Sequence, residues 1–283
     1  MRMTKTNPVA LSTEVRRRLG RNLNGYRGDT IDIAAVLNDC LEAARRRGWT
    51  VEEVPVTGKL PLLAFWRGAG DPPRQRDRTW RVYLSSGIHG DEPAGPLAMR
   101  RLLHDNRWPP NLEIRICPCL NRAGFIQNRR ENPEGCDLNR DYLSLTAAET
   151  KAHTHWLQQQ PAFDLCLCLH EDWESAGFYV YELNPDNQPS LAEKIVACVA
   201  GVCPIDTSES IEDRPAHNGI IRPSVDPRSR PQWPEAFYLL TYKTRLSYTL
   251  EAPSDYALDC RVDALVVGAQ AALESLARGG DPE

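Results

Sequence analysis

The chain has no Cys-x-x-Cys motif, no apolar run long enough to span a bilayer and only five lysines, at positions 5, 59, 151, 194 and 243. Without paired cysteines at metal-site spacing, zinc-ribbon and dithiol redox chemistry are excluded. Without a long apolar run, a spanning helix is excluded. The segment Met1–Pro8 lacks the apolar centre of a signal peptide. A basic surplus is missing too: 34 basic residues stand against 38 acidic ones, a formal charge of −4, so no positive field recruits nucleic acid. The scarcity of lysine beside abundant arginine carries no functional weight. Nine scattered cysteines, an odd number, read as buried reduced thiols in a reducing cytoplasm. The spacing of two in Cys117/Cys119 and in Cys166/Cys168 predicts that each pair shares one face of a strand.

What is present is an ordinary globular composition, 41% hydrophobic and 25% charged over 283 residues. Helical periodicity runs from Ile31 to Arg47, with Ile33, Val36, Leu37, Cys40, Leu41 and Ala44 as the apolar stripe and Gly48 as the stop. Further helices are predicted over Pro96–Leu103, Ala147–Gln158, Leu191–Val202 and Val262–Leu276. Strands are predicted over Thr50–Val56, Leu60–Trp66, Thr79–Ser85, Leu112–Cys119, Phe163–Leu169, Phe178–Leu183 and Ser247–Glu251. The stretches from Asn121 to Tyr142 and from Asp206 to Pro234 show no clear period. Apolar strands alternating with helices predict a single α/β domain over residues 1–283, its central mixed, mostly parallel sheet covered by helices on both faces.

Open α/β sheets place their sites just beyond the carboxyl ends of strands. His89-Gly-Asp-Glu92 follows Thr79–Ser85, His170 follows Phe163–Leu169, and Glu251 closes Ser247–Leu250. One such residue is ordinary; three strands ending in metal-ligand or acid–base types point to a common site. Two histidines and a carboxylate suit Zn²⁺ and leave a coordination position open for chemistry. The segment Asn128–Tyr142 adds cations that an anionic substrate would need; on composition alone Asp137-Leu-Asn-Arg140 also reads as a solvated surface loop.

His-Gly-Asp-Glu at 89–92, Arg-x-Asn at 130–132, Gly-x-Asp-Leu-Asn-Arg at 135–140, the strand-terminal His170 and Leu-Glu at 250–251 together resemble the zinc metallocarboxypeptidases. The likeness is to their compact bacterial members, including murein-peptide amidases, and to the succinylglutamate desuccinylase/aspartoacylase branch. It implies that His89, Glu92 and His170 bind zinc and that Glu251 is the general base and acid. It implies that Arg130 polarises the scissile carbonyl, and that Asn139 and Arg140 clamp a substrate carboxylate. The expected activity is hydrolysis of an amide bond next to a free carboxylate, by a metallocarboxypeptidase or peptide amidase. An N-acyl-amino-acid deacylase and a zinc-retaining binding protein without turnover are the alternatives. The expected partner is a peptide or acyl-amino acid with a free carboxylate, with no nucleic acid and no membrane.

The sequence departs from the larger members in three places. Glu171-Asp172 follows the third ligand, where it could orient His170, favour a cationic substrate group or hold a second metal. The substrate-capping tyrosine has no secure position; Tyr238 and Tyr242 are candidates. The chain ends soon after its last helix, which disfavours the extra C-terminal β-domain of aspartoacylases. His153 and His155 read as solvated helix residues, His104 as a helix-end residue, and Arg222–Arg230 as a candidate lid.

Overall fold

Alternation along three central strands sets the architecture. In the computed structural model, which describes residues 17–23, 25–26, 28–70, 78–224 and 226–279, Val82 and Leu84 face one core while Tyr83 faces another. Leu165, Leu167 and Leu169 likewise oppose Cys166 and Cys168. Strands buried on both faces need a helical layer on each. The Met1–Pro8 segment and most of the Gly68–Asp77 loop lie outside the described residues.

The strands are β1 (Thr50–Val54), β2 (Leu62–Arg67), β3 (Trp80–Ser86), β4 (Leu112–Cys117), β5 (Leu165–Asp172), β6 (Tyr179–Leu183), β7 (Ser210–Ile211), β8 (Arg214–His217), β9 (Ile220–Ile221) and β10 (Ser247–Pro253). They form one sheet in the order β1-β2-β4-β3-β5-β10-β6-β9-β8-β7. The centre, β4-β3-β5-β10, is parallel. The flanks are antiparallel except for the β6–β9 pair. The expected mixed α/β sheet is therefore present, with its parallel character concentrated where the site lies.

The helices are α1 (Ile33–Arg46), α2 (Ala94–Asp105), α3 (Arg122–Gln127), α4 (Ala148–Gln159), α5 (Ala192–Val199), α6 (Glu235–Tyr242) and α7 (Leu258–Ala277). One face of the sheet carries α1, α2, α5 and α7 over a large apolar core. The other carries α4 and α6 over a smaller core. Asp32 caps α1 by accepting from Ala35 N, so the helix starts at Ile33, two residues after the start expected from the apolar stripe. No helix of the described residues is long and apolar enough to cross a membrane.

The structure departs from expectation in several places. The Asn121–Tyr142 stretch holds α3, capped by Asn121 through Gly124 N, and a 3₁₀ turn at Leu138–Arg140. Six- and three-residue helices are too short to show a period. The Asp206–Pro234 stretch holds β7, β8 and β9. Cys117 and Cys119 do not share a face, since β4 ends at Cys117 and the chain turns at Pro118, sending Cys119 into the opposite core. Cys166 and Cys168 do share one, and none of the nine cysteines forms a disulfide. His153 is buried, its ring nitrogens against the hydroxyls of Tyr83 at 2.8 Å and Tyr142 at 2.6 Å, whereas His155 is exposed. A two-residue helical spacing says only that the pair diverges; which member turns inward depends on the partner strand.

Candidate metal centre and substrate pocket

Register brings the site together. β5 and β10 run parallel with Glu251 opposite His170. By the two-residue period both side chains project on the side of Cys168 and Thr249, toward α6. His89 and Glu92 reach the same point from the turn after β3. Gly87 holds a φ of +63° there, a conformation favouring glycine. Gly90 is packed so closely on α3 that a Cβ would lie 2.1 Å from the Gly124 carbonyl carbon.

The nitrogen and oxygen atoms of His89, Glu92 and His170 fall within 4.8 Å of one another, and all three residues are buried. His89 Nδ1 contacts Glu92 Oε1, and His170 Nδ1 lies 3.1 Å from Glu92 Oε2. The imidazole centroids are 5.2 Å apart. Both Nδ1 atoms thus face inward. His89 Nε2, buried and without a hydrogen-bond partner, lies 3.4 Å from Asp137 Oδ1, just beyond the roughly 2.7–3.2 Å of a full bond. A carboxylate behind a ligating imidazole fixes the tautomer that leaves the inner nitrogen free for metal. Two inward nitrogens, one carboxylate and an aligned outer carboxylate are the donor set of a catalytic zinc site, so these residues fit the ion. Glu92 is driven well below the usual carboxylate range: burial opposes this, but the two histidines outweigh it.

Glu251 behaves oppositely. Burial first, and then the charge of Glu92, push its carboxyl well above the ordinary value. Arg130 stands at the mouth of the triad, with Nε bonded to Asp137 Oδ2 at 2.9 Å and Nη1 3.9 Å from Glu92 Oε1. Asp137 therefore orients an imidazole and a guanidinium at once, and also caps the 3₁₀ turn through Asn139 N at 2.9 Å. It sits within the motif that composition alone could equally place on the surface. Asn139 Oδ1 accepts from Glu235 N at 2.9 Å, tying the clamp segment to the start of α6. With that oxygen engaged, the Asn139 amide NH₂ is the group left to meet an anion. Arg140 is exposed and its Nη1 meets only the carbonyl of Asn139, at 2.9 Å.

All seven predicted site residues line one pocket of about 470 Å³. Its floor includes Cys168, Leu183 and Thr249, and its rim includes Tyr26, Tyr181 and Arg230. Neither tyrosine expected to cap it does so. Tyr238 is buried against Tyr142 at 5.9 Å, and Tyr242 is 61% exposed outside the pocket. Tyr26, which carried no sequence signal, donates to the backbone carbonyl of Asp91, between His89 and Glu92. The Glu171 side chain is turned away: one step along β5 from His170, it points to the opposite layer and is fully enclosed there. Asp172 turns back to the pocket, where burial lifts it to about 6.

Residues 78–206 match the succinylglutamate desuccinylase/aspartoacylase catalytic domain. Carboxypeptidase 2 of Trichophyton rubrum is 31% identical over 101 residues, covering 33% of this chain and 19% of that protein. Carboxypeptidase SOL1 of Arabidopsis thaliana is 36% identical over 92 residues, covering 25% of this chain and 19% of that one. The chain thus matches about a fifth of the length of these curated relatives. Among solved structures, a presumed metallopeptidase of Shewanella denitrificans OS217 superposes with a TM-score of 0.73 at 22% identity, covering 87% of this chain and 91% of that one. The carboxypeptidase A of Helicoverpa armigera gives 0.60 at 14% identity, covering 88% and 74%. At such identities the structures speak for the fold. The chain thus has the fold of these metallopeptidase and carboxypeptidase structures, with a catalytic-domain likeness over residues 78–206.

Proposed function

We propose that this protein is a zinc-dependent hydrolase that cleaves an amide bond next to a free carboxylate, as a metallocarboxypeptidase or peptide amidase. The observation that carries the reading is the register of β5 and β10. It sets Glu251, whose carboxyl burial pushes up, beside His170 in a pocket whose other wall ends in Asn139 and Arg140.

In this reading His89, Glu92 and His170 hold the ion and the chain forms one catalytic domain. Bound zinc would supply Lewis acidity at the scissile carbonyl and at water. The remaining steps belong to side chains. Arg140 and the Asn139 amide receive the substrate carboxylate, the planar guanidinium offering paired donors. Arg130, fixed by Asp137, donates to the carbonyl oxygen as charge gathers there. Glu251 takes a proton from water, whose oxygen becomes bonded to the carbonyl carbon. It then gives that proton to the nitrogen, which leaves as the amine when the C–N bond breaks. A carboxyl lifted by burial is suited to both halves of that transfer near neutral pH. Nine cysteines outside any disulfide suit a reducing compartment, which supports the cytoplasm as its location.

A second reading is N-acyl-amino-acid deacylation, favoured by the catalytic-domain match over residues 78–206. Purified protein should carry close to one zinc per chain, and His170→Ala should lose it. Assayed on C-terminally free peptides, their C-terminal amides and acyl-amino acids, it should prefer the first group. Turnover of acyl-amino acids alone selects the deacylase; metal without turnover of any of them selects a binding protein. Protein free of transition metal, or His170→Ala with full metal content, removes the zinc reading.

A further inference from the structure

We propose that Arg261, on the far side of the sheet from the pocket, is a positioning residue that sets metal affinity through Glu171; this rests on the zinc site proposed above. Glu171 is the neighbour of His170, and it grips the turn that carries Glu92 from two sides. Its backbone N–H donates to Glu92 Oε2 at 3.2 Å. Its side-chain Oε1 accepts from Ala94 N, two residues beyond Glu92, at 2.5 Å. Strand β5, carrying His170, and the turn carrying Glu92 are therefore held to each other by one residue.

That carboxylate is fully enclosed, with 0% side-chain exposure, and so is the guanidinium that meets it. An enclosed carboxyl group is fixed in position by the hydrogen-bonding groups around it, and a buried guanidinium is the strongest such anchor. Arg261 Nη1 provides it, and Ser254 Oγ adds a hydrogen bond at 3.2 Å. Arg261 is balanced in turn by Asp29, through Nη2, and Asp29 is held by Arg21 at 2.9 Å. The chain Arg21–Asp29–Arg261–Glu171 thus ends on the backbone of the turn that carries Glu92. Arg261 lines no part of the pocket, which separates its role from that of Arg130 and Arg140.

The test compares zinc dissociation constants, by competition with a chromogenic chelator, in the wild type, Arg261→Lys and the paired substitution Arg261→Met/Glu171→Gln. The paired change removes both charges together, so neither is stranded. It should weaken zinc about 10- to 100-fold, the usual cost of losing an outer support of a metal site. Arg261→Lys, which keeps the cation, should stay within about threefold of wild type. A purely structural role would lower the melting temperature of the metal-free protein and leave the dissociation constant unchanged, and that result overturns the proposal. If the paired variant does not fold, Ser254→Ala strips one donor from the same carboxylate and should weaken zinc about two- to fivefold. Wild-type affinity there overturns the proposal equally. A wild type that binds no zinc would instead sink the site reading itself.

Discussion

The two walls of the pocket are built on different principles. One wall is made of strand ends: His170 and Glu251 are paired in register, and His89 and Glu92 sit in the turn that leaves β3. The other is made of loop: Arg130, Asn139 and Arg140 come from irregular chain, and Arg230 from the segment before α6. The sheet wall is buried and its groups act on each other, so burial and then Glu92 raise Glu251 while the two histidines lower Glu92. The loop wall is half exposed and is held by a few bonds, of Arg130 to Asp137 and of Asn139 to Glu235. In the proposed function, chemistry that needs a fixed geometry sits on the sheet, and recognition of a substrate charge is left to the loops. The same division predicts how each wall fails.

The largest effect belongs to the sheet wall. Glu251→Gln should keep zinc and substrate affinity but reduce kcat by at least about two orders of magnitude, since the amide cannot take the proton. Near-normal kcat with zinc bound would show that the two walls do not divide the work. Arg130→Ala is intermediate: it should depress kcat more than it raises KM, because its bond to the carbonyl oxygen strengthens only as the reaction proceeds. Arg140→Ala should mainly raise KM, and should have little effect on substrates amidated at the carboxylate. Equal losses in kcat from Arg130→Ala and Arg140→Ala, on every substrate, would erase the distinction within the loop wall.

The smallest effect lies beneath the floor, where Glu235 joins the two walls. It is fully buried, accepts from Ser85 Oγ at 3.0 Å, and is raised by burial to about 7 from 4.5. Between those two values the folded protein holds a proton that the unfolded chain has released. Its contribution to stability therefore falls as pH rises from 4.5 to 7, by at most about 3 kcal/mol, and is level above that. Glu235→Gln should flatten the pH dependence of urea unfolding across this window, with kcat hardly altered. A variant whose pH profile runs parallel to the wild type would show that Glu235 is not the titrating group.

The sheet wall was legible in the sequence because a period of two and a polar residue at the end of an apolar run are local signals. They located His89, Glu92, His170 and Glu251 and the strands behind them. What could not be read depends on partners far away in the chain. Glu171 looked like a pocket residue until β5 was seen to run on to Asp172, which turns Glu171 toward an arginine 90 positions later. His153 looked solvated because nothing nearby announces Tyr83, 70 residues before it. Tyr26 and Asp137 take their roles from backbone and side-chain partners across the fold, and β7 to β9 are two to four residues long, too short to carry a pattern.

The contact between Gly90 and α3 has a consequence for anyone who would redesign this protein. Gly90 N donates to the carbonyl of Arg130 at 3.3 Å, and there is no room for a methyl group between the turn and Gly124. A saturation library at position 90 should return glycine alone among active clones. Even alanine would have to push α3 outward, carrying Arg130 with it. A residue with no side chain, touching no substrate, thus fixes the width of the cleft, and grafting other specificities onto this scaffold has to begin from that spacing.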